Sequence, residues 1–148
     1  MHDQPFLRAR SAATRSHRRT ERSHVYQSLD VLRTRHREMR LLETCLETRA
    51  PVVIDNTNPT RQDRRRYIEP AKAADYSVHS YFFQSRVAEC IARNETRPEQ
   101  QRVPKTALLH TCKILERPAR EEGFNQMWFV RPALGDGFLV EERHDEVR

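Results

Sequence analysis

The chain has 148 residues, 36% of them hydrophobic, a mean hydropathy of −0.90 and a formal net charge of +6. That length suits one domain with a modest core, and no apolar run approaches the roughly 20 residues of a membrane span. Cys45, Cys90 and Cys112 are few, odd in number and far apart; they exclude a zinc site or a disulfide framework and point to a reducing, cytoplasmic setting.

Residues 1–22 carry six arginines against Asp3 and Glu21 and show no apolar period, so an irregular, disordered Arg-rich segment is expected there. Much of the basic excess lies in this segment. Residues 23–148 carry only +2, which weakens a general nucleic-acid surface, and the domain body is expected over 23–132. Residues 24–29 read as a short strand ending at Asp30. A helix is expected over 31–49, with Leu32, Met39, Leu42 and Leu46 on one face. The unbroken apolar run 51–54 is a strand buried on both sides, and Asp55 to Pro59 form a turn with helix-start chemistry. A helix follows over 60–74, an aromatic-rich strand over 78–83, a helix over 85–95, a loop over 96–104, a helix over 105–116 and a last strand over 127–130. Residues 133–148 are expected to be a flexible tail. Strands alternating with helices imply an α/β fold, a parallel sheet flanked by helices.

Four segments carry chemistry: Ser28-Leu29-Asp30-Val31-Leu32-Arg33-Thr34-Arg35-His36-Arg37-Glu38; Val52 through Thr60 with Arg66-Tyr67-Ile68-Glu69-Pro70-Ala71-Lys72; Arg93-Asn94-Glu95-Thr96-Arg97-Pro98 with Val103-Pro104; and Glu122-Gly123-Phe124. In this order and spacing they resemble the P-loop kinases of the polynucleotide 5′-hydroxyl kinase type, over about residues 24–131. The resemblance implies ATP- and Mg²⁺-dependent phosphorylation of a 5′-hydroxyl on nucleic acid or a nucleotide. It implies that Asp30 accepts the hydroxyl proton and that Arg33 holds an acceptor phosphate. Asp55, Asn56, Thr57 and Asn58 support the acceptor side. Arg93 and Arg97, with Arg102 as a third candidate, form a lid on the ATP phosphates and stabilise charge in transfer. Spacing alone favours Asp30 as an N-cap with a solvated Arg33, a preference that the resemblance reverses, and leaves Arg93, Arg97 and Arg102 open to being a solvated loop. The cluster Arg61, Arg64, Arg65 and Arg66 reads as a solvated helix face.

The family's P-loop, G-x-x-x-x-G-K-[ST], is missing. The glycines are Gly123, Gly135 and Gly137, and the first lysine is Lys72. In this fold the P-loop strand lies between those at 52–54 and 78–83. Residues 5–20 are expected not to fill that slot, leaving the sheet without its first, central strand, and residues 1–22 read as an out-of-frame or misassigned start. The protein is then expected to be inactive as written and not to bind ATP and Mg²⁺. The alternatives are a non-catalytic nucleic-acid-binding remnant, using Arg33, the 61–66 cluster and the N-terminal arginines, and a non-functional fragment.

Overall fold

A computed structural model describes residues 24–84, 86–133 and 137–143, together with the backbone of 6–10. The elements in chain order are β1 (Phe6–Arg10), β2 (Val25–Gln27), α1 (Leu29–Leu32), α2 (Arg35–Glu47), β3 (Val52–Asp55), α3 (Arg61–Ala73), β4 (Ser77–Phe83), α4 (Val87–Glu95), α5 (Lys105–Ile114), β5 (Gln126–Pro132) and β6 (Phe138–Glu142). They build one six-stranded sheet in the order β2-β3-β1-β4-β5-β6, parallel except for the antiparallel β6. The expected α/β fold is therefore present, with β2 beside β3 and β4 beside β5 as the apolar runs require.

The expectation of an empty central slot is overturned. β1 lies between β3 and β4, with Leu7 opposite Val52 and Val78, and Arg10 opposite Asp55 and Tyr81. The strand starts at Phe6, ahead of most of the arginines of residues 1–22. Both flanking strands also present rows of backbone donors and acceptors. Leaving each such buried group unpaired costs about 1–3 kcal/mol, and this outweighs a side-chain propensity that depends on context. The irregular segment of 1–22 is thus corrected at 6–10; residues 11–22 lie outside the described residues.

Two further corrections concern element ends. The tail expected to be flexible from 133 onward returns as β6, which pairs Val140 with Val130 and Leu139 with Arg131. The helix expected over 31–49 is two helices, because Arg33 turns left-handed at φ 69° and Thr34 caps α2 by accepting the Arg37 N–H at 3.3 Å.

The main core lies between the sheet and the pair α2 and α3, where Leu42, Val52, Ile54, Tyr67, Ala71, Val78 and Met127 pack together. β3 is buried on both faces, since Val53 is as enclosed as its neighbours. Each such side chain contributes about 1.5–3 kcal/mol by leaving water. α3 starts where the sequence places it, because Thr60 and Asp63 form a reciprocal capping box. α4 and α5, by contrast, bury no residue fully. They form a hairpin closed by Asn94, whose side chain donates to the Val103 carbonyl at 2.8 Å and accepts the Val103 N–H at 2.9 Å.

Candidate functional site

The carboxyl ends of β2 and β3 face an open cleft of about 380 Å³ lined by Tyr26, Asp30, Arg35, Asp55 through Pro59, and Arg97. Parallel sheets bind ligands at this end of their strands. Asp30 is not the last residue of a strand, as expected, but the second residue of α1. Ser28 caps that turn, accepting the Asp30 N–H at 3.2 Å, and Asn56 Oδ1 accepts the Leu29 N–H at 2.9 Å. Two side chains from different segments thereby fix the backbone that presents Asp30.

Asn56 is itself held from below. Its Nδ2 donates to Glu38 Oε1 and, at 3.2 Å, to the Tyr67 hydroxyl. Tyr67 donates to Glu38 Oε2 at 3.0 Å, and Arg35 reaches the same oxygen at 2.9 Å and also the Tyr67 hydroxyl. Glu38 is 0% exposed, so its charge is met by these three groups rather than by water. Burial first, and the Glu38 charge second, push the Tyr67 phenol up to about 12, against the opposing pull of Arg35 and Asn56. The network ties α2 and α3 to the loop after β3 and so sets the floor of the cleft.

Asp55 accepts from the Tyr26 hydroxyl at 2.5 Å. Asn58 sits in left-handed backbone at φ 38° and is 7% exposed, yet neither side-chain polar atom has a hydrogen-bond partner among the described residues. Thr57 is exposed on the rim. Among the arginines singled out by sequence, Arg97 lines the cleft. Arg33 is exposed at the end of α1 and does not line it. Arg93 folds back on its own helix, with Nε donating to the Glu89 carbonyl at 3.3 Å, and Arg102 Nε donates to the Arg97 carbonyl at 2.9 Å.

Sequence reasoning assigned no role to Arg35, Glu38 or Tyr67. The available signal was Glu38 itself, four residues before Leu42 and seven before Cys45 on the face that α2 buries. It also misjudged Arg64, which is 4% exposed rather than solvated. Arg64 makes a two-pronged pair with Glu122, at 2.7 and 2.9 Å, and its Nη1 donates to the carbonyls of Asn58 and Glu116 at 3.1 and 2.9 Å. It therefore braces the loop carrying Asn58 against the segment before β5.

The sequence model of the AAA domain family matches residues 3–118, a span that takes in β1, the cleft and the α4–α5 hairpin. The chain belongs to the AAA domain family. This AAA domain is 28% identical over 103 residues to the bifunctional polynucleotide phosphatase/kinase of Schizosaccharomyces pombe, a match covering 66% of the chain but 25% of that protein. It thus spans about a quarter of the curated relative. In fold it is similar to a gluconokinase from Sinorhizobium meliloti, with a TM-score of 0.57 at 16% identity, covering 88% of this chain and 84% of that one. Family, relative and fold agree on a P-loop kinase-like protein. Because the family match begins at residue 3, the reading of residues 1–22 as foreign to the domain is not supported. Among the described residues no helix is long and apolar enough to cross a membrane.

Proposed function

We propose that the cleft beside Asp30 is an acceptor site for the 5′-hydroxyl end of a nucleic acid or nucleotide, in a kinase-family domain that does not itself transfer phosphate. The observation that supports this most is the convergence of Asp30, Asp55 and Arg97, from three separate segments, on one cleft. A carboxylate presented from a fixed backbone at that position is a base for an alcohol proton, and an arginine lining the same cleft suits an anionic partner. Asn58, enclosed and unpartnered, offers an amide that a ligand hydroxyl or phosphate oxygen satisfies. Arg33, outside the cleft at the end of α1, is the cation for an acceptor phosphate that extends beyond it; Arg102 braces Arg97 in the lid, and Arg93 lies one turn before Arg97 on the lid side.

The donor side does not fit ATP as the family binds it. The segment joining β1 to β2 contains neither glycine nor lysine, so it lacks the small residues that let backbone N–H groups wrap phosphates and the ammonium that reaches them. Lys72 is occupied by Asn125 Oδ1 at 2.5 Å, and Lys105 and Lys113 lie on α5. Calorimetry separates the two halves of the proposal. ATP with Mg²⁺ should give no micromolar binding, while a short oligonucleotide with a free 5′-hydroxyl should bind more tightly than its 5′-phosphorylated form. Micromolar ATP binding would overturn the donor half, and indifference to the 5′ end the acceptor half.

A further inference from the structure

A second groove, of about 430 Å³, opens between the end of α5 and the sheet at β4 and β5. Phe82 and Phe129 stand opposite each other on these neighbouring strands, with ring centroids 6.1 Å apart and planes inclined at 26°. Among the described residues, Arg86, Arg117 and Arg143 share the lining and no carboxylate does. Arg86 lies 3.6 Å from Glu89, whereas the Arg117 and Arg143 guanidiniums make no hydrogen bond or ion pair among the described residues. Cations around half-exposed rings on a sheet face are costly to keep together without a ligand, since they repel one another and leave apolar surface wet.

The groove also adjoins the acceptor cleft. Leu115 and Arg117 line the groove, and the residue between them, Glu116, donates its backbone N–H to the carbonyl of Pro59 at 2.8 Å. Pro59 lines the Asp30 cleft. A chain-like ligand leaving one opening meets the other across this contact.

We propose that the groove binds single-stranded nucleic acid, with phosphates on Arg117, Arg143 and Arg86 and a base on the Phe82–Phe129 pair. A polyanion answers the three cations, and aromatic rings on adjacent strands are a stacking platform that any base can use. Only an unpaired base lies flat on such rings, so a duplex is excluded. The inference deepens the acceptor reading and rests on it only for direction: the 5′ end lies toward Asp30 and the following nucleotides toward Phe129.

Fluorescence anisotropy with a labelled oligothymidylate tests it on the full chain. The double variant Arg117→Gln/Arg143→Gln, altered only at solvent-accessible side chains, should lose about tenfold in affinity at low salt, with a salt dependence shallower by about 0.7 per lost phosphate contact. Phe129→Leu should weaken the oligonucleotide but not inorganic polyphosphate. An unchanged affinity in the double variant, or equal loss of both ligands in Phe129→Leu, would overturn the proposal. Photo-crosslinking with 5-iodouracil then separates it from the acceptor reading. An internal iodouracil should mark peptides containing Phe82 or Phe129, and crosslinks confined to residues 1–23 would overturn the groove. A 5′-terminal iodouracil that fails to mark residues 26–30 or 55–59 would instead sink the acceptor site alone.

Discussion

Replacing Glu38 by Ala should remove more stability than any other single polar substitution around the cleft. The carboxylate is wholly enclosed and receives bonds from Asn56, Tyr67 and Arg35. The Arg35 side chain is 41% exposed and can turn to water, so its loss adds little. Asn56 and Tyr67 cannot, and each buried group left without its partner costs about 1–3 kcal/mol. The missing carboxylate also leaves a void, while its own desolvation cost disappears. The net expectation is a loss of about 2–5 kcal/mol, a large share of a typical total of roughly 5–15 kcal/mol. Glu38→Gln keeps an acceptor and the shape, so its loss should be smaller, roughly 1–3 kcal/mol. Urea unfolding followed by the fluorescence of Trp128 reads both, with the denaturant slope unchanged if the native state is otherwise intact. A Glu38→Ala protein within about 0.5 kcal/mol of the parent, the range of a neutral surface change, would refute the network as the anchor of Asn56 and of the turn that presents Asp30.

Tyr67 gives a pH signature: its folded value of about 12 stands above the ordinary 10, so the stability it contributes is complete below pH 10 and lost as pH rises toward 12. Tyr67→Phe should flatten that loss in unfolding curves across the same window, and an unchanged slope would dismiss the assignment. Gly123→Ala should destabilise by about 1–3 kcal/mol, because Gly123 holds φ 107° and an added Cβ would stand 3.1 Å from Ile68 Cγ2; a melting temperature equal to the parent's would contradict this.

Much of the frame was legible because it rests on period and punctuation. The run Val52-Val53-Ile54 marks a strand buried on both faces, and Thr60 with Asp63 marks the start of α3. The central strand was not legible. β1 consists of Phe6, Leu7, Ala9 and two arginines, and its place comes from the unpaired edges of β3 and β4, which no local pattern in residues 6–10 reveals. β6 was missed for a similar reason, since it gains its bonds from the free edge of β5. At the cleft, the motif segments brought Asp30, Asp55 through Asn58 and Arg97 together. Their neighbours Glu38, Tyr67 and Arg64 were not legible as braces of the cleft, because burial of a polar group depends on partners from distant segments. Glu38 meets Asn56, and Arg64 meets Glu122, only once α2, α3 and the segment before β5 are assembled.

The most direct test places the family's missing part back on this domain. With residues 11–22 exchanged for a G-x-x-x-x-G-K-[ST] turn and helix, leaving β1 in its slot, the protein should phosphorylate a 5′-hydroxyl oligonucleotide with ATP and Mg²⁺. Asp30→Asn in that chimera should slow kcat by about 10²–10⁴-fold, the usual contribution of a general base, with little change in the KM for ATP. A chimera that binds ATP but leaves the oligonucleotide untouched, or one in which Asp30→Asn turns over at the parent rate, would contradict the account.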